Sequence, residues 1–367
     1  MNANSTLGVK VEGGGDQVVA HVGLHALGAF ADRLGVGDSL SAAIPIRGER
    51  APFHDRGKVL VQTMLMLAGG GESCTDIEHL RSQERLFGEV PSDSTVYRTF
   101  RDIDAETLAG LWEAMAEVRS QVWRRSSATA GTEAVVLDVD ASLVEIHSEN
   151  KDDTEANYKG GFGFHPIFCF ADATGEALAA RLRPGNAGAN TVADNLGVLD
   201  DAIAQLPAEV SAGHHRGDDQ ETVRREVVVR SDSAGATHGF VWGCRERKVG
   251  FAVVARSNAR IHAGISKIAY DSNAWTPAIR PDGTERRGAA VAELTPLVDL
   301  SAWPEGTRLI VRREPLHPGA QQTLFPSLAY PTGATTPTGR ATPSTSTPSC
   351  GPTPMSRTTS AASRTRG

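Results

Sequence analysis

A change in apolar spacing near residue 133 narrows the fold more than any other feature of the chain. Before it, in VVAHVGLHALGAFADRL and KVLVQTMLMLAGG, apolar side chains recur at three- and four-residue steps, the mark of helices that pack one face into a core. After it, EAVVLDVDASLVEIHS, GFGFHPIFCFAD and GEALAARLRPGN read as three strands, with a turn at Asp172 to Gly175. A helix is predicted next at about 188 to 205. REVVVRSDSA is then a buried strand ending at a carboxylate, THGFVWGCRERK a helix and GFAVVARSN a strand. Three strands, helix, strand, helix, strand is an α/β layout.

The 367 residues allow two or three domains. The spacing predicts a disordered N-terminus at 1–16, a helical domain at 17–130, an α/β core at 131–267, a β-rich segment at 268–330 and a disordered tail at 331–367. No window approaches the roughly 18 consecutive apolar residues of a membrane span, and MNANSTLGVKVEGGGDQ lacks the basic-then-apolar layout of an export signal. The chain is therefore read as cytoplasmic, with no membrane partner. Cys74, Cys169, Cys244 and Cys350 form no CxxC pair, so neither a disulfide framework nor a structural zinc site is expected. The net charge of −7 does not exclude nucleic acid, because phosphate binding depends on local basic patches.

The tail is compositionally apart. Pro331 to Gly367 holds 11 Thr, 6 Pro, 6 Ser, 4 Gly, 4 Ala and 4 Arg, with no carboxylate and none of Val, Ile, Leu, Phe, Tyr or Trp. Such a segment cannot bury enough apolar surface to offset its chain entropy. One reading is a natural linker. The other is a frameshift, since these residues are what GC-rich DNA yields out of register. Shifted by one base, the codons from the Cys350-Gly351 junction onward are compatible with RAHAHVEDHIRRLKDSG, an amphipathic helix bearing acids.

Within the helical segment, SCTDIEHLRSQ followed by SDSTVYRTFRDID resembles two short helices joined by a turn. With Ser94 as N-cap, the first turns of the second helix present Thr95, Tyr97, Arg98 and Arg101, groups suited to phosphate or base contacts. The plainer alternative is a small helical bundle with Arg on its solvated face.

Asp138 and Asp140 interrupt an otherwise apolar strand, where a carboxylate is costly unless a partner or metal compensates. Alternation puts both on one face, opposite Val139. Asp232 closes the second apolar run, VVVRSD. For an isolated Asp, turn or strand-end chemistry is the ordinary reading. Two carboxylates on adjacent strands instead make a site of hard oxygen ligands for a divalent cation. A pair of Mg²⁺ ions about 3.5–4 Å apart can activate a water or 3′-hydroxyl and stabilise the leaving oxygen of a phosphodiester.

The runs DVDASLVEIHSENK, YKGGFGFHP, LRPGNAGAN and VVVRSDSAG together resemble the DDE-type transposases of bacterial insertion sequences, in the branch called DDE domain group 1. The resemblance covers about 17 to 328. It implies a ribonuclease H-like mixed sheet flanked by helices, an N-terminal helical domain and a β-rich insertion. It also implies DNA cleavage and strand transfer with Mg²⁺ or Mn²⁺. The implied partner is double-stranded DNA at element ends, bound by a homodimer. Asp140 corresponds to the first catalytic carboxylate, with Asp138 the alternative, and Asp232 to the second. The family places a third acid, a Glu, on a helix after the insertion. Here the chain enters the Thr/Pro tail instead, and the shifted reading restores a Glu at the Ser356-Arg357 junction. The expectation is an incomplete transposase that binds DNA but is defective in cutting it. A non-catalytic regulator or inhibitor of intact transposase is the alternative, and an unrelated metal-dependent nuclease a third.

His147, Lys159, His165 and Asn186 to Asn190 flank the expected active face and suit phosphate positioning, with Lys159 the clearest DNA contact; His165, before Pro166, suits a structural role equally. GGFGF and RPGNAGAN lack the strand-loop-helix spacing of a nucleotide site. His214 and His215 are expected in a solvated loop.

Overall fold

The computed structural model describes residues 21–46, 52–126, 134–147, 150–280 and 282–314, and the backbone of 333–335. The chain divides into two compact units, Met1–Val228 with Glu246–Val249, and Val229–Arg245 with Gly250–Gly367.

The first unit opens with helices α1 (Val22–Arg33), α2 (Val36–Ala43) and α3 (Arg56–Ala68). Asp55 caps α3 by accepting the Lys58 amide at 2.9 Å, satisfying a donor the helix itself cannot. Where SCTDIEHLRSQ was expected as one short helix, a 3₁₀ turn at Cys74–Ile77 leads into a single helical turn, α4 (Glu78–Arg81), and a further one-turn helix, α5 (Glu84–Phe87), falls between the two expected helices. The break is local: Ser73 and Asp76 form a capping box that fixes the turn, and Gln83 leaves helical geometry. Then come α6 (Asp93–Arg101) and α7 (Ala105–Trp123), the latter capped by Asp104 through the Thr107 amide at 2.9 Å. Leu40, Val59, Leu65, Ile77, Leu80 and Val96 are buried in a shared core. Burying each large aliphatic stabilises the fold by roughly 1.5–3 kcal/mol over leaving it exposed.

Three strands of the first unit form an antiparallel meander: β1 (Ala134–Ala141), then, after β2 (Val144–Glu145), β3 (Glu155–Ala156) and β4 (Phe162–Phe164), β5 (Ile167–Ala171) and β6 (Ala177–Arg181). The run GFGFHPIFCFAD, expected as one strand, is two. Pro166 has no amide to donate, and the His165 amide turns to the Arg183 carbonyl at 2.9 Å. Helices α8 (Val192–Ala204) and α9 (Ala208–Ser211) follow, and then β7 (Glu226–Ser231), which begins in this unit on the side of β1 away from β5. Meander, helix, then a strand on the far side of the first is the ribonuclease H-like order, in a mixed α/β fold. Helix α7 is fastened to this sheet: Arg119 donates to Glu176 at 2.5 Å, Trp123 to the same carboxylate at 3.2 Å, and Gln205 to the Trp112 carbonyl at 3.0 Å.

The three short strands form their own sheet in the order β2-β4-β3. Gly163 in β4 has φ 149°, and a Cβ there would lie 2.1 Å from the Val144 carbonyl oxygen. Gly163→Ala should cost about 1–3 kcal/mol in stability, read by urea unfolding. A cost near zero would show that the β2–β4 approach is not tight.

The second unit carries the end of β7, α10 (His238–Glu246), β8 (Gly250–Ala255), α11 (Ala259–Ile268), β9 (Thr276–Ile279), β10 (Glu285–Glu293), β11 (Ile310–Arg313) and β12 (Gly333–Thr335). Its strands are ordered β7-β8-β12-β11-β10-β9. Ile261, Ala292, Leu294, Leu309 and Val311 form a buried apolar cluster in this unit. Strand β12 falls where the composition predicts irregular chain. Its ladder is made by backbone groups, which pair with β8 and β11 whatever the side chains are. The rest of the expected tail, the 1–16 segment and the Ser356-Arg357 junction lie outside the described residues.

Candidate active site

Strand β1 buries Val135, Leu137 and Val139 on one face and turns Asp138 and Asp140 to the other. The register on β5 sets Phe170 opposite Asp138 and Phe168 opposite Asp140, and those two rings lie 5.9 Å apart. The acidic face is thus bordered by aromatic carbon, where an ionised carboxylate is less well solvated than in open water. Asp138 is half-buried at mid-strand. Asp140, one residue from the strand end, is exposed, and its Oδ1 accepts the Ala141 amide at 2.8 Å. On the opposite face, burial pushes the Cys169 thiol far above its ordinary range, and the negative charge of Asp138 raises it further. Cys169 is therefore a protonated packing residue and not a nucleophile.

Asp232, in the second unit, is the first residue past β7 and is exposed. Its Oδ1 accepts the Ala234 amide at 2.7 Å, and its carbonyl accepts the Gly235 amide at 3.2 Å. This Asx turn brings Gly235 so close to Ser231 that a Cβ would lie 2.5 Å from the Ser231 side chain. Asp140 and Asp232 thus each sit at or just past a strand end, oriented by a backbone amide. Both supply hard oxygen, the donor type a divalent cation prefers. Among the described residues no group of three or more His, Cys, Asp or Glu is placed to hold a metal ion.

Helix α6 carries Thr95, Tyr97, Arg98 and Arg101. Its cap is Ser92 and not Ser94, because the Ser92 carbonyl already accepts the amides of Thr95 and Val96 at 2.9 and 3.0 Å. Val96 and Thr99 face the core, while Tyr97 is 60% exposed and Arg98 and Arg101 are exposed beside it. Arg98 donates to the Thr95 hydroxyl at 3.2 Å, and Arg101 pairs with Asp102 at 2.9 Å. Phe100, also exposed, extends this face and was not anticipated from the sequence. Lys159 is exposed on another element, the turn between β3 and β4.

The flanking histidines separate by role. His147 is exposed, whereas His165 is buried with Nδ1 2.7 Å from the Ala187 carbonyl oxygen. It helps shape the 184–190 loop. His214 is not in a solvated loop: it is 0% exposed, and its ring nitrogens lie 3.1 and 2.8 Å from the carbonyl oxygens of Arg247 and Arg225. A polar sequence context conceals this, since the carbonyls that hold the ring come from distant residues. His215 beside it is exposed.

The crystal structure of human ENDOV is similar at 12% identity over 62% of this chain and 82% of that one, with a TM-score of 0.23. A crystal structure of a pre-cleavage Mos1 transpososome is similar at 12% identity over 68% and 82%, with a TM-score of 0.21. The Mos1 transposase paired-end complex with left transposon end is similar at 13% identity over 71% and 74%, with a TM-score of 0.20. Among curated proteins none matches the chain. The family assignment rests on none of these likenesses but on a profile that matches residues 2–329, described as "Transposase DDE domain group 1". The chain belongs to the transposase DDE domain group 1 family.

Proposed function

We propose that the protein binds double-stranded DNA at the ends of an insertion sequence, as a homodimer in the cytoplasm, and that its scaffold is built for metal-dependent strand cleavage and transfer. The family match over residues 2–329 carries this reading, because it contains both DVDA and VVVRSD. Asp140 is the first catalytic carboxylate and Asp232 the second, with Asp138 the alternative for the first. The exposure of Asp140 near the end of its strand favours it over half-buried Asp138. Mg²⁺ or Mn²⁺, when bound, supplies charge stabilisation for the attacking and leaving oxygens. The residues that would hold it are Asp140 and Asp232, with Asp138 as a further donor.

We further infer that the segment from Pro331 is read out of frame, so that it does not supply the Glu-bearing helix the family places there and cutting is impaired. The compositional break at Pro331, beside the end of the family match at 329, supports this reading. The same observation favours a second role, a non-catalytic occupant of element ends that inhibits intact transposase. No helix among the described residues is long and apolar enough to cross a membrane.

Gel-shift titration of the chain with DNA carrying the ends of its own element tests the reading. End-specific binding is expected, and Arg98→Ala should weaken it roughly ten-fold or more. Equal affinity for end and random DNA would contradict it, as would indifference to Arg98→Ala.

A further inference from the structure

The YKGG run forms a turn whose construction the proposed chemistry does not use. Asn157 is only 7% exposed, and its Oδ1 accepts the amides of Lys159 and Gly161 at 2.9 and 3.1 Å. The backbone closes over it, Asn157 N to Gly161 O at 2.8 Å and Gly160 N to Asn157 O at 3.1 Å. Gly160 has φ 84°, a left-handed conformation that favours glycine, and a Cβ on Gly161 would lie 2.5 Å from Glu145 Oε1. Because Oδ1 takes both amides, the amide orientation is set, and the buried Nδ2 has no hydrogen-bond partner among the described residues. A buried donor left unpaired costs about 1–3 kcal/mol. The hydrogen bonds from the Lys159 and Gly161 amides to Asn157 and the two backbone bonds across the turn hold its tip in shape despite that cost.

What that tip presents is Tyr158, 74% exposed, with the Lys159 ammonium 5.7 Å from its ring centroid. Behind it, the His165 ring lies 6.0 Å from the Tyr158 ring. The turn leads into β4, which pairs with β2, and β2 starts three residues after the end of the strand that carries Asp140. An aromatic ring held in water at the end of a rigid hairpin, with a cation beside it, suits a flat ligand attached to an anion. Glu155, at the start of β3, is exposed too. The tip therefore has little net positive charge, and stacking has to supply most of the affinity.

We infer that the Tyr158–Lys159 turn contacts a DNA strand, the Tyr158 ring stacking on an unpaired base and the Lys159 ammonium meeting an adjacent phosphate. The inference rests on the DNA-binding reading above and adds a partner surface to it. Base stacking on an aromatic ring tolerates any sequence, so the test needs no knowledge of the element ends.

The full chain is titrated into a duplex with a short single-stranded overhang carrying 2-aminopurine, alongside a blunt duplex. Wild type should quench the 2-aminopurine. Tyr158→Ala should abolish the quench and lower overhang affinity about ten-fold, while Tyr158→Phe keeps both. Lys159→Ala should keep the quench and reduce the salt slope by about one. Unchanged quench and affinity in Tyr158→Ala overturn this inference alone, as does an equal loss on the blunt duplex. If wild type binds no DNA of any kind, this inference and the DNA-binding reading both fail.

Discussion

With the codons beyond 330 returned to frame, the protein should nick element-end DNA in the presence of Mg²⁺, and Asp232→Ala should lower that rate on the order of a thousand-fold. The magnitude follows from the charge a metal-bound phosphodiester must spread. Losing a carboxylate that holds the cation forfeits several kcal/mol of transition-state stabilisation, and each 1.36 kcal/mol is a factor of ten. Asp140→Ala should match Asp232→Ala. Asp138→Ala should be milder if half-buried Asp138 is a supporting donor. The chain as it stands should bind the same DNA without nicking it. A gel assay of supercoiled plasmid carrying both ends reads all of these. A reframed protein that does not cut would show that the third acid is not what is missing.

The second large effect is on folding. Arg183 is 5% exposed and donates through Nε to the His165 carbonyl at 3.0 Å, and through one terminal nitrogen to the Gly188 carbonyl at 2.9 Å and Asp194 at 3.0 Å. It ties the break between β4 and β5 to the 184–190 loop and to the first turn of α8. Arg183→Ala takes the donor from the buried His165 carbonyl and one partner from the partly exposed Asp194 carboxylate, while the Gly188 carbonyl keeps its bond from the Thr191 hydroxyl, at a cost of about 1–3 kcal/mol. Arg183→Lys should recover little, because a single ammonium cannot reproduce the planar fork that reaches acceptors in three directions. Urea unfolding followed by far-ultraviolet circular dichroism measures both. A loss below about 1 kcal/mol for Arg183→Ala would mean that water replaces the guanidinium and the loop is not held from within.

The parts of the fold that were legible in the sequence are those written in a local period. The alternation in AVVLDVDA places Val139 in the core and both acids on the other face, and the burial along β1 follows it. The apolar steps of the N-terminal segment likewise give α1 and α3. What escaped was set by partners far along the chain. His214 reads as a loop residue beside His215, yet its ring is held by carbonyls 11 and 33 residues away. Arg183 passed without a role in LRPGN, and only the folded loop shows which acceptors it reaches. Ser94 looked like a cap because its hydroxyl suits one, but the helical turn had begun at Ser92. Within the candidate site, the acids were legible as carboxylates at odds with apolar strands. The tyrosine of YKGG was not, because its exposure depends on how Asn157 folds the turn beneath it.

Asp140 and Asp232 are proposed to act on one set of cations, and Mn²⁺ titration of the reframed chain, followed by electron paramagnetic resonance, tests this without relying on catalysis. Two ligands of one site are not independent, so Asp140→Ala, Asp232→Ala and the double variant should all weaken Mn²⁺ binding to a similar degree. Losses that simply add, or a single variant that binds Mn²⁺ as wild type does, would contradict it.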